Sequence, residues 1–132
     1  MADARTAASR PLSPHLQVFR PILTMMMSIV HRITGGALYV GTLFVVWWLV
    51  AAASGPEYFA FVNGIYSSWF GRLVLLGFAW ALVHHAIGGI RHFLWDFGYC
   101  LDKATATRMA QINIVASLAI TAVIAVIGIL VA

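Results

Sequence analysis

The sequence predicts an all-α membrane protein: three transmembrane helices in an antiparallel bundle, with the N-terminus cytoplasmic. Three observations predict it. First, 62% of the 132 residues are hydrophobic and only 9% are charged, whereas soluble domains carry about 25% charged residues. Second, residues 33–53, 73–90 and 109–132 are apolar runs of the length needed to cross a hydrocarbon core roughly 30 Å thick, which takes about 20 helical residues. They are continuously apolar, so the alternating pattern of a membrane barrel does not apply. Third, the basic residues are one-sided. Arg5, Arg10, Arg20 and Arg32 precede the first run, and Arg91, Lys103 and Arg108 lie between the second and third. Only Arg72 borders the opposite side, whose loop also carries Glu57. That bias places the basic side in the cytoplasm or its organellar equivalent. The net charge of +4 therefore reads as topology, not as nucleic-acid binding.

Each element follows in order. Residues 1–21 form a polar cytoplasmic arm in which Pro11, Pro14 and Pro21 prevent a long helix. The arm lacks the continuous apolar core of a cleaved signal peptide, so the first span is expected to act as its own insertion signal. Residues 22–132 make one three-helix transmembrane domain. Its first helix, about 22–53, starts beside Pro21, a suitable first-turn residue, and ends at Ser54-Gly55-Pro56. Residues 57–68 read as a short external connection of amphipathic, interfacial character, with Tyr58, Phe59, Phe61 and Tyr66. Trp69 and Phe70 then form an aromatic belt at the start of the second helix, about 69–95. Residues 96–107 are a cytoplasmic loop, and the third helix covers about 108–131. That helix is Ala, Ile and Val with Asn113 and Ser117 near its inner end, and reads as a packing helix. Cys100 is the single cysteine; it forms no internal disulfide and cannot alone hold an iron–sulfur cluster.

The chemistry-bearing residues gather at the cytoplasmic ends of the first two helices. His85 lies within a run expected inside the bilayer, where an ionisable side chain marks function. At 100° per residue, Gly77, Ala81, His85, Gly88, Gly89 and His92 share one stripe. An imidazole flanked by missing side chains suits a flat cofactor approaching the backbone, and neutral imidazole is an axial ligand for heme iron. A small-residue stripe is also how membrane helices pack closely. His84 points 100° away from His85, so only one of the pair can face such a slot. On the first helix, Ser28 is i,i+3 to His31 and i,i+4 to Arg32, one face carrying a hydroxyl, an imidazole and a guanidinium. The antiparallel arrangement predicts Ser28, His31, Arg32, His85, Arg91 and His92 around one site near the inner leaflet. Arg32, Arg91, His92 and His31 equally suit interface anchoring. A six-coordinate b-type heme takes two axial ligands; His31 or a histidine of another subunit would be the second.

SIVHRITG (28–35) and HAIGGIRHFLWD (85–96), with RPLSPHLQVFRP (10–21) before them, resemble the cytochrome b subunit of succinate dehydrogenase, one of the two small membrane anchors of respiratory complex II. The resemblance extends from Arg10 to the end of the third helix. It implies that His85 is the axial heme ligand, with His31 and Arg32 near the heme propionates, and that Ser28 and Arg32 line the ubiquinone pocket. It further implies that the heme b is shared with a second small membrane anchor subunit, which supplies the other axial histidine. An iron–sulfur subunit and a flavoprotein subunit complete the complex, in which this chain anchors and passes electrons without catalysing a reaction alone. The expected location is the bacterial inner (cytoplasmic) membrane rather than the mitochondrial inner membrane. The competing class is a heme-free structural or transport membrane protein whose intramembrane histidines form a proton or metal pathway.

Overall fold

The computed structural model describes residues 19–131, so the arm expected over residues 1–21 lies almost wholly outside the described residues. The described chain is four helices with no strand: α1 (Leu23–Ser54), α2 (Pro56–Ser67), α3 (Trp69–Asp96) and α4 (Lys103–Val131). Helices α1, α3 and α4 are long and apolar enough to cross a membrane. The chain is an all-helical membrane protein. With 32 residues at 1.5 Å each, α1 is about 48 Å long and extends past the hydrocarbon core.

The joints follow from local chemistry. Gly55 ends α1 at φ 128° and ψ 167°, a backbone conformation open essentially to glycine alone, and Pro56 starts α2 at a first-turn position. The short amphipathic connection expected over residues 57–68 is thus a 12-residue helix. Its aromatic residues fold it back on α1. The Trp47 indole N–H donates to the Tyr58 hydroxyl (2.9 Å), and the Tyr66 hydroxyl donates to the Phe44 carbonyl (2.8 Å). Between them Ala51 and Val62 are fully buried. Ser68 then caps α3: its Oγ accepts from the Gly71 N–H at 3.1 Å while its own hydrogen goes to the Ile65 carbonyl at 2.6 Å. Helix α4 begins five residues before the expected position 108, because the Asp102 carboxylate accepts the Thr105 N–H at 2.9 Å as a helix cap. Hydropathy locates the apolar part of that helix and misses its polar first turns. The hydrogen bonds from Thr105 hold the Asp102 carboxyl below its ordinary pKa. The cap is therefore intact at neutral pH and is lost as pH falls through that depressed value.

The interior is narrow and half polar. Helix α3 buries Ala81, His84, Gly88 and Arg91, and α4 buries Ala110, Asn113, Ser117 and Thr121. Both sets step by three or four residues, one stripe per helix. Large apolar side chains such as Leu43, Ile90, Ile112 and Val123 point outward, as a lipid-facing surface requires. Small residues bring the helices close. A Cβ on Gly41 would run into the Phe78 ring, so α1 and α3 approach there at glycine distance.

The α2–α3 corner depends on Gly71, where a Cβ would collide with the Ile65 and Tyr66 carbonyls. Gly71→Ala should lower stability by at least about 1–3 kcal/mol, the usual scale of overpacking. Gly64→Ala, with nothing within 4 Å of the new Cβ, should be neutral or stabilising. Thermal unfolding of the two variants in detergent checks the contrast.

Candidate functional site

Three histidines from α1 and α3 converge at the cytoplasm-facing end predicted from the sequence. The His31 and His85 rings stack, with centroids 4.0 Å apart and planes 16° from parallel. His92 lies 4.9 Å from His31 at 55° and edge-on to Trp95 at 5.1 Å. Two glycines make this possible. A Cβ on Gly35 would sit 3.0 Å from His85 Cε1, and one on Gly88 would collide with the His31 ring. Each imidazole therefore lies over the glycine of the opposite helix.

The hydrogen bonds of His85 define its chemistry. Its Nδ1 is 3.1 Å from the His31 carbonyl and 3.3 Å from Thr34 Oγ1. A carbonyl only accepts, so Nδ1 carries the hydrogen and Nε2 keeps its lone pair. This is the arrangement that orients a metal-ligating histidine. His84 differs. It is 1% exposed, and its Nδ1 lies 3.2 Å from Ser117 Oγ on α4. The Ser117 hydrogen is directed to the Ile114 carbonyl at 3.0 Å, so His84 donates from Nδ1, and its Nε2 is enclosed with no partner among the described residues. Of the adjacent pair, only His85 keeps a partly exposed ring with a free nitrogen.

The predicted small-residue stripe divides in the structure. Ala81 and Gly88 face the interior beside His84 and Arg91, while Gly77 and Gly89 have open space where a side chain would begin. His85 and His92 sit on the shoulder towards α1. Gly88 thus makes room for His31. Arg91 is 2% exposed, with its guanidinium 4.9 Å over the Trp95 ring and Nε and Nη1 unpartnered among the described residues. Ser28 and Arg32 lie apart from the imidazole stack. With Phe19, Pro21, Met25, Met26 and Ile29 they line a hollow of about 240 Å³, largely apolar, on the outer side of α1. The residues predicted as a single cluster therefore divide into two groups, the stacked imidazoles and the Ser28–Arg32 pair. A separate, more open groove of about 490 Å³ lies farther along α1, between it and α3, lined by Ile33, Gly36, Ala37, Gly41, Gly77 and Phe78 among others.

Sequence reasoning misses Thr34 and Gly35, which touch His85, and the polar stripe of α4. Asn113, Ser117 and Thr121 are all buried; Ser117 meets His84 across the interior, Thr121 donates to the Ser117 carbonyl of its own helix, and the Asn113 amide has no partner among the described residues. Their signal is present in the sequence: three polar residues spaced by four along an otherwise apolar helix. Among the described residues no group of three or more His, Cys, Asp or Glu is placed to hold a bare metal ion. One or two imidazoles suffice for a prosthetic group that brings its own in-plane ligands.

Residues 6–125 match the family described as succinate dehydrogenase/fumarate reductase transmembrane subunit. The chain belongs to that family. It is 44% identical over 117 residues to the succinate dehydrogenase cytochrome b556 subunit of Paracoccus denitrificans, covering 89% of each chain. Against the cytochrome b556 subunit of Rickettsia typhi it is 36% identical over 90 residues, 68% of this chain and 69% of that one. The cytochrome b560 subunit of Marchantia polymorpha is 39% identical over 101 residues, 71% and 72% of the two chains. The matched region includes all three spanning helices almost to the end of α4.

The His84–Ser117 contact generates a double-variant prediction. Ser117→Ala leaves a buried imidazole N–H unpaired and should cost about 1–3 kcal/mol. His84→Leu combined with Ser117→Ala removes both partners and should recover most of that loss. Unfolding midpoints of the single and double variants measure the coupling.

Proposed function

We propose that this chain is a membrane-anchor subunit of succinate:quinone oxidoreductase that holds heme b together with a second anchor subunit and contributes Ser28 and Arg32 to the ubiquinone site. The observation that carries the heme assignment is the contrast between the two adjacent histidines. His85 gives its Nδ1 hydrogen to the His31 carbonyl and presents Nε2 outward, whereas His84 is enclosed against Ser117. The residues present therefore fit the group: His85 is one axial donor with a fixed tautomer, its ring seated against α1 where Gly35 has no side chain. The relatives are named cytochrome b556 and b560 subunits, which supports the same assignment. When bound, the heme would supply a one-electron redox centre. His31 stacks on one face of the His85 ring, and His31 and Arg32, adjacent in sequence, would supply hydrogen bonding and positive charge for the propionates.

The hollow beside Ser28 and Arg32 is suited to a quinone head group. Its walls are Phe, Pro, Met and Ile, and its polar groups are one hydroxyl and one guanidinium. Both donate hydrogen bonds to carbonyl oxygens, and the guanidinium stabilises negative charge that develops on reduction. Succinate oxidation belongs to a flavoprotein subunit, and an iron–sulfur subunit delivers its electrons to this end of the bundle. The basic residues Arg20, Arg32, Arg91, Lys103 and Arg108 lie at the same end, which supports a cytoplasmic N-terminus. The bacterial relatives support location in a bacterial inner membrane.

His85→Ala should abolish the b-type α band of the dithionite-reduced complex, while His84→Ala should keep it. The reverse result would transfer the ligand assignment to His84, and the absence of any such band in the wild-type complex would favour a heme-free membrane protein.

Arg32→Leu should retain succinate-dependent reduction of a dye that takes electrons upstream, and lose quinone reduction. Ser28→Ala should act in the same direction more weakly. A neutral hydrogen bond is worth about 0.5–1.5 kcal/mol and a charged one about 1.5–3, so quinone affinity should fall by at most roughly tenfold for the serine and up to about a hundredfold for the arginine. Equal loss of both activities in Arg32→Leu would identify an assembly residue instead.

A further inference from the structure

Thr34 is 2% exposed, although it stands on the helix that opens the membrane domain and has no part in the quinone hollow. Its hydroxyl hydrogen is directed at the carbonyls of Val30 (3.0 Å) and His31 (2.9 Å) on its own helix. That leaves the lone pairs of Oγ1, 3.3 Å from His85 Nδ1. Since Nδ1 bears the hydrogen, the N–H is shared between two acceptors, the His31 carbonyl and the Thr34 hydroxyl oxygen. Thr42, two turns on, serves as an internal comparison. Its hydroxyl back-bonds to Leu38 in the same way (2.8 Å), yet it is exposed and has no hydrogen bond to a side chain among the described residues. Back-bonding alone is therefore the ordinary behaviour of a helical threonine; the approach of an imidazole N–H to the oxygen is the added feature.

We infer that Thr34 is a positioning residue: its hydroxyl fixes the plane of the His85 imidazole and raises the electron-donating strength of Nε2 by accepting from Nδ1–H. The inference rests on His85 being the heme ligand. An acceptor on Nδ1–H makes the ring more basic at the other nitrogen, and a more basic ligand stabilises the oxidised iron over the reduced one. Donating its own hydrogen to a carbonyl polarises the Thr34 oxygen and strengthens it as an acceptor. Gly35 belongs to the same device. With no Cβ there, the His85 ring lies against the α1 backbone, 3.0 Å from where that atom would be, and its N–H reaches both acceptors.

The experiment is a redox titration of the heme α band in the assembled complex carrying Thr34→Val, which keeps the shape and loses the hydroxyl, and Thr34→Ser, which keeps the hydroxyl. In Thr34→Val the oxidised-to-reduced ratio at a fixed ambient potential should fall by about two- to tenfold, the worth of one neutral hydrogen bond. Thr34→Ser should stay within about twofold of the parent, since it keeps that bond. Loss of the band in Thr34→Val with retention in Thr34→Ser would support the same role. An unmoved ratio in Thr34→Val, a rise in it, or equal changes or equal loss of the band in both variants would overturn the inference. His85→Ala separates the two levels: if that variant keeps the band, the ligand assignment fails. If it loses the band while Thr34→Val titrates as the parent does, only the role of Thr34 fails.

Discussion

The arrangement of α1 against α3 rests on a reciprocal exchange in which each helix gives up a side chain where the other places an imidazole. His31 lies over Gly88 and His85 lies over Gly35, with the two rings stacked between them. Neither glycine tolerates a side chain without displacing a ring, so the exchange fixes both the distance and the register of the two helices. The same contact sets the tautomer of His85, because the register that seats the ring over Gly35 also brings Nδ1 to the His31 carbonyl. Packing and chemistry are here one constraint. A bilayer gives little driving force for apolar contacts between helices, so close approach and hydrogen bonding must supply it.

The other side of α3 is held by a different polar contact. His84 meets Ser117, and Gly88 lies against the Asn113 amide, so three helices share one partly polar interior at this end. Buried polar groups without partners are costly in a membrane, and paired ones are correspondingly selective. The distribution is inverted relative to a soluble protein: bulky Leu, Ile and Val outside, small and polar residues within.

How far this is legible in the sequence differs by feature. The three spanning helices follow from hydropathy, because a span-length average is insensitive to exact boundaries. Sequence alone shows α2 only as an amphipathic connection, since its stability comes from the Tyr58 and Tyr66 contacts with α1, which no local pattern encodes. The start of α4 escapes the same reading because Asp102 caps a polar turn that hydropathy ignores. At the site, the antiparallel order brings the histidine-bearing ends of the first two spanning helices together, and the 100° offset separates His84 from His85. Spacing does not separate Ser28 and Arg32 from the imidazoles, because depth along a helix is encoded by residue number while azimuth depends on how the partner helix docks. For the same reason the periodicity puts Gly88 on a cofactor-facing stripe, whereas it accommodates His31.

The tandem His84-His85 poses a problem of degeneracy. Two identical side chains on neighbouring positions give α3 two rotational settings, one residue apart, that would present the same functional group to α1. A helix with a single histidine has no such competitor, but this chain must open an energy gap between the two settings. Ser117 does this from the far side: it accepts a hydrogen bond only when His84 points towards α4, and that setting turns His85 towards α1. The serine acts as a key that selects the azimuth of a helix it does not belong to. A residue remote from the exposed nitrogen, on the helix with the least apparent chemistry, thereby decides which of two equivalent imidazoles is available.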